Sequence, residues 1–196
     1  MAQAERGPSE PYRGANPASR SEEDQRSAVP PSRSEEGRGG ATQHDPEGPP
    51  RFRVGVFAVI ERGGRYLLAH RNDIDWWNLA GGGLEYGETL EEGLAREVRE
   101  EIGTTIDIVR LVGVYSKPRK RELVLTFLCR LAEGSPEPGT SDEVSEVAWF
   151  LPAEFPDNLL PKHRQRLEDA LLGRTEAIVR AQLTTTEEDQ RIPKGM

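Results

Sequence analysis

Cysteine is almost absent from this chain. The single one, Cys129, cannot close an internal disulfide, and its place in the apolar run LVLTFLCRL marks it for strand packing over nucleophilic work. Long apolar runs are missing too. With no stretch of roughly 18 apolar residues and no leader-like apolar segment, neither a membrane span nor a secretory signal is expected, and cytoplasmic residence is the default. An excess of positive charge is also lacking. The net charge of -8 argues against non-specific binding to duplex nucleic acid, and nothing in the sequence points to a membrane partner.

Hydrophobic residues make up only 35% of the chain, but they are unevenly placed. Residues 51–183 hold nearly all the large aliphatic and aromatic side chains, enough for one medium domain with its own core. Residues 1–50 are dominated by Ser, Pro, Gly, Glu, Arg and Ala, a composition too poor in apolar surface to offset the entropy of ordering. A disordered tail is expected there. Residues 184–196 are expected to fray.

Within the domain, residues 53–61 and 65–70 are β-branched-rich runs separated by Arg62, Gly63 and Gly64, which predicts a hairpin. Strands are expected over 106–115, 122–131 and 144–151, with a basic loop containing Pro118 between the first two. A helix is expected from Thr89, where Glu92 three residues on completes a capping box, to Gly103 as the stop. Further helices are expected at 161–172 and 175–183. Strands around a central helix, with a second helix later, predict an α/β class: a mixed β-sheet between helices, an α/β/α sandwich.

The central helix carries the chemistry. Leu90, Leu94, Val98 and Ile102 repeat every four residues and form an apolar stripe for the sheet. Glu97, Glu100 and Glu101 lie off that stripe, and helical spacing lets them lean toward a common point near the glycines Gly81, Gly82 and Gly83. Carboxylates this close must pair, protonate or bind a metal. Glycines allow close backbone approach to a ligand.

Gly82, Glu88, Arg96, Glu97, Val98, Glu100, Glu101 and Gly103 fall in the order G x5 E x7 R E U x E E x G U, where U is a bulky apolar residue. By this motif the chain resembles the Nudix hydrolases. Two positions depart from the usual pattern. Thr104 stands at the closing apolar position, with a hydroxyl that needs a partner, and Ala80 stands where a proline is usual in the lead-in Trp77-Asn78-Leu79-Ala80-Gly81-Gly82.

The resemblance implies a Nudix-type fold, with Mg²⁺ or Mn²⁺ held by Glu97, Glu100, Glu101 and the Gly81 carbonyl. It implies that Arg96 pairs with Glu88 to hold the loop, and that water is the nucleophile in cleaving a P–O–P linkage. For the general base it leaves Glu100 or a later glutamate, Glu143 or Glu146. It also admits a homodimer.

The substrate is less defined. Arg71, Trp76, Gly82, Gly83 and Tyr115 are candidate contacts for a small nucleotide, and Trp77, Phe127, Trp149, Lys117, Arg119, Lys120 and Arg121 are further aromatic or basic candidates. Pro118, fifteen residues past Gly103, resembles a feature of ADP-ribose-cleaving members. The cysteine pairs of the zinc ribbon that often accompanies the NADH-cleaving branch are missing. The expected substrate is therefore a nucleoside diphosphate linked to another group, ADP-ribose or a nucleotide sugar. Alternatives are a nucleoside triphosphate, in a pool-sanitising role, and nucleotide sensing without turnover.

Overall fold

A computed structural model describes residues 52–191, so the expected tail at 1–50 and residues 192–196 lie outside the described part. Strand β1 (Arg53–Arg62) turns at Gly63 and Gly64, both at positive φ, into β2 (Arg65–Arg71). Short strands β3 (Trp77–Asn78) and β4 (Gly81–Gly83) lead to helix α1 (Leu90–Ile102). Then come β5 (Ile106–Lys117), β6 (Glu122–Leu131), β7 (Val144–Phe150), α2 (Pro161–Leu171), β8 (Ile178–Ala181) and α3 (Thr186–Asp189).

The eight strands form one sheet, in the order β3-β2-β1-β6-β5-β8, with β4 added to β1 and β7 to β2. Parallel pairing of β1 with β6 and of β5 with β8 makes the sheet mixed, as expected. Alternation along β1 sorts the two faces. Val56, Ala58 and Ile60 meet Leu94, Val98 and Ile102 of α1, whereas Phe57 and Val59 join Leu167 and Ala170 of α2. The helices therefore pack on opposite faces of the sheet.

Helix α1 has the expected limits because its caps were written into the sequence. Thr89 and Glu92 exchange capping-box hydrogen bonds, and Gly103 ends the helix in the left-handed region at φ 68. The Thr104 hydroxyl is fully buried and donates to the Pro136 carbonyl at 2.6 Å, which supplies the partner it needs. Cys129 is buried, and burial pushes its thiol up to about 12, an inert state.

Two expectations near the end of the chain are corrected. Residues 175–183 do not form a helix. Ile178 and Val179 lie instead in β8, which pairs in parallel with the open edge of β5, where Gly113 lets the Ile178 carbonyl come close: a Cβ on Gly113 would stand 2.6 Å from that oxygen. The described part of the segment expected to fray is also folded. Thr185 caps α3, and Asp189 is fully buried in an ion pair with Lys162 at 3.2 Å.

Candidate functional site

The glycine strand β4 passes directly over the acidic face of α1. Gly81 has φ +133, and a Cβ there would stand 2.2 Å from the Val56 carbonyl, so only glycine fits. At Gly82 a Cβ would stand 2.5 Å from the Glu97 carboxylate. The missing side chain leaves Glu97 room against the backbone. The Gly81 N–H donates to Glu101 at 2.8 Å, so α1 and β4 are joined through two of the motif's carboxylates.

Arg96 organises the rest. Its guanidinium donates to both Glu88 oxygens, at 2.7 and 3.0 Å, and to the Gly83 carbonyl at 2.9 Å. The same group reaches Glu97 at 3.0 Å and Glu100 at 3.1 Å through a single nitrogen. These bonds hold the Arg96 pKa far above its usual value and the Glu88 carboxyl below the usual carboxylate range. The pairing expected between Arg96 and Glu88 is present.

One expectation is refined by this arrangement. Glu97, Glu100 and Glu101 do not meet at one point, and among the described residues no three His, Cys, Asp or Glu side chains form a ready metal cluster. Separate donors hold them: Arg96 takes Glu97 and Glu100, while Gly81 takes Glu101. Glu100 is also the outermost, with a side chain 61% exposed against 15% for Glu97.

Burial makes the inner two carboxylates costly to ionise. Burial is the main cause raising Glu97, and it pushes Glu101 up to about 7, with the negative charges of Glu97 and Glu143 adding to the effect. Two half-buried carboxylates that disfavour each other's charge, beside open glycine backbone, form an oxygen-only donor set suited to a hard divalent cation.

Glu101 opens onto a cavity of about 240 Å³ lined by Arg71, Asn72, Asp73, Asn78, Asp142, Glu143 and Val144. The loop before β7 thus brings Glu143 to the site. Glu146 lies along β7 opposite His70 and does not line the cavity. Arg71 lines it as well, with its guanidinium held by both Asp73 oxygens at 2.8 and 2.7 Å.

Other sequence candidates fall elsewhere. Tyr115 is fully buried on the α2 face and donates to Asp169 at 3.0 Å, so it is a core residue and not a substrate contact. Trp76 is buried and outside the cavity lining, Trp77 packs edge-on between His70 and Phe150, and Phe127 is core. Trp149 lies under the Arg62 guanidinium. Lys117 pairs with Glu122, Arg119 with Glu188 and Lys120 with Glu187. Pro118 opens the short turn between β5 and β6 and does not line the cavity. Gly82 and Gly83 serve the loop geometry and lie outside the lining.

Asn72, Asp73, Asn78 and Asp142 were not singled out from sequence. Asn78 carried the one available signal, its place in the lead-in to the glycines, and it is buried with no hydrogen-bond partner for Oδ1 among the described residues.

A glycine strand is thus seated on an acidic helix and clamped to it by an arginine. A family model described as NUDIX domain matches residues 49–171, and the chain belongs to this family of hydrolases. It is similar to a MutT-like protein of Streptomyces ambofaciens, 39% identical over 126 residues covering 64% of this chain and 80% of the relative. It is also similar to the nucleoside triphosphatase NudI of Salmonella arizonae, 32% identical across 62% of this chain and 99% of that one. A crystal structure of a NUDIX hydrolase from Nitrosomonas europaea superposes with a TM-score of 0.64 at 25% identity, covering 70% of this chain and 82% of that one. No helix among the described residues is long and apolar enough to cross a membrane.

Proposed function

We propose that this hydrolase is a metal-dependent pyrophosphohydrolase that cuts a P–O–P linkage of nucleoside triphosphates. The observation that carries the reaction class is the seating of Glu97 and Glu101 against Gly82 and Gly81, which joins half-buried carboxylates to a glycine backbone. Glu97, Glu101 and the Gly81 carbonyl would hold Mg²⁺ or Mn²⁺, with Glu100 able to join on release from Arg96. When bound, the ion supplies charge neutralisation of the phosphate oxygens and acidifies a bound water.

The chain's own residues account for the remaining steps. Arg96 fixes Glu88 and the Gly83 carbonyl, keeping the loop on the helix. Glu143, across the cavity from Glu101, takes the proton as a water oxygen bonds to phosphorus and the bridging P–O bond breaks. Arg71, held flat by Asp73, faces phosphate oxygens at the cavity wall. Glu100, another candidate for the base, is occupied by Arg96.

A triphosphate substrate is supported by the name of the relative that this chain matches over nearly its full length. Pro118, the feature that leaned toward ADP-ribose, lies outside the cavity. A second reading, a nucleoside diphosphate linked to another group, is favoured by one observation: among the described residues, Arg71 is the only cationic one lining the cavity, which suits fewer phosphate charges. The deciding experiment is turnover of dNTPs, NTPs, ADP-ribose and nucleotide sugars with Mg²⁺ or Mn²⁺. Triphosphates should be cut at least about tenfold faster in kcat/KM, a difference of about 1.4 kcal/mol. Preference for ADP-ribose or a nucleotide sugar would install the second reading, and tight binding without turnover would remove both.

A further inference from the structure

We infer that Asn72 is a positioning residue, a side-chain latch that fixes the Glu143 loop over the cavity; the inference rests on Glu143 acting as the base. The β2–β7 ladder becomes irregular at its cavity end, where the register shifts between His70 and Arg71, so that Arg71 stands opposite Val144. Regular strand pairing therefore stops just short of Glu143. Residues 141–143 need other donors.

Asn72 supplies them. Its peptide N–H donates to the Glu143 carbonyl at 2.9 Å, and its side-chain Nδ2 donates to the Asp142 carbonyl at 2.8 Å and the Ser141 carbonyl at 3.4 Å. Three consecutive carbonyls, some seventy residues away in sequence, converge on one residue. The loop's remaining bonds are its own: Ser141 Oγ accepts from the Glu143 N–H at 3.2 Å, and the Ser141 N–H donates to the Val144 carbonyl at 3.0 Å. Behind this latch, His70 Nδ1 and Ser145 Oγ are 2.9 Å apart, and Ser145 donates to the His70 carbonyl at 3.1 Å. That second tether holds β7 and leaves residues 141–143 to Asn72.

The chemistry restricts which residue can do this. Carbonyl oxygens on the loop side require donors, which fixes the amide orientation of Asn72. Aspartate has the same shape but would place an acceptor against two carbonyls. Asn72 is exposed and packs no core, so its substitution spares the fold. Arg71 and Asp73, its neighbours, line the same cavity, so a displaced Asn72 loop also loosens that wall.

The test compares full-length wild type, Asn72→Asp, Glu143→Gln and the double variant, using dGTP, or ADP-ribose if the substrate panel favours it. Asn72→Asp should lower kcat by about 10- to 100-fold with KM held within about threefold, the signature of a misplaced group. On the Glu143→Gln background the same change should alter kcat by less than about twofold, because the group it positions is already disabled. Amide exchange should quicken over residues 141–145 and not over α1. Wild-type kcat in Asn72→Asp alongside a slow Glu143→Gln would overturn the latch and leave the base assignment standing. Equal effects of Asn72→Asp on both backgrounds would show that Asn72 acts through something other than Glu143. A fully active Glu143→Gln would remove the base assignment and the latch together.

Discussion

The two main helices bury charge on opposite faces of the sheet, and they do so in opposite ways. On the α1 face the charge is acidic, lies at the edge of a cavity and is held by an arginine and a glycine N–H. On the α2 face it is of both signs and sealed. Arg166 is the largest fully buried side chain, stacked on Phe57 and Tyr115 and donating to Gln182 at 2.8 Å, beside Lys162, His163 and the covering Asp189. One cluster is accessible to a ligand. The other is closed by the chain itself, so burial of charge alone does not mark a site: access to an open cavity does.

This contrast can be broken by substitution. Glu101→Gln keeps the shape of the side chain and its acceptor for the Gly81 N–H, but removes the charge. Turnover should fall more than about 100-fold, beyond the loss typical of a merely supporting group. Steady-state kinetics at saturating Mg²⁺ would check it, and near-normal turnover would place the chemistry elsewhere. Arg166→Ala should do the reverse. It should destabilise the fold by about 3 kcal/mol through a core cavity and a Gln182 side-chain oxygen left without its donor, with kcat of the folded fraction unchanged. Urea unfolding paired with activity would show both.

The faces should also answer pH with opposite signs. Burial raises Glu101 to about 7, so the metal-free native state holds that proton more tightly than the unfolded chain. Its stabilising contribution is complete below about pH 4.5 and is lost as pH rises through 7, by at most about 3 kcal/mol. His163 is buried and accepts from the Leu79 N–H at 3.1 Å, and burial depresses its pKa well below normal. The unfolded chain therefore takes up that proton first, and stability falls as pH drops below about 6.5. Melting curves in a chelator should show the alkaline loss reduced in Glu101→Gln and the acid loss reduced in His163→Phe. The smallest effect belongs to the cap: Thr89→Ala should cost about 1 kcal/mol in stability.

The same contrast explains what could be read before the structure. The limits of α1 and its apolar stripe were legible because each depends on residues within a few helical turns, whereas the pairing of Arg96 with Glu88 was expected from the family resemblance. Cavity residues on the far wall were not. Asn72 and Asp142 are joined only by a contact across seventy residues, and neither has a local pattern that distinguishes it from a solvated loop. Tyr115 misled because an aromatic on a strand reads alike whether it faces a nucleotide or Asp169. Residues 178–181 misled because the vacant edge of β5 is a tertiary feature, and it overrode local helical preference. The closeness of three glutamates along the helix was legible as spacing, while their division between Arg96 and Gly81, which keeps them from meeting at one point, depended on the fold.

On the proposed function, the acidic face of α1 works through a divalent ion. The most direct measurement is dGTP and ADP-ribose turnover by metal-free protein titrated with Mn²⁺, wild type beside Glu101→Gln. Turnover should be at background in excess chelator and rise to saturation with Mn²⁺ in the wild type, with Glu101→Gln requiring far more ion and reaching a lower plateau. Full turnover in chelator, or identical titrations for both proteins, would contradict the account.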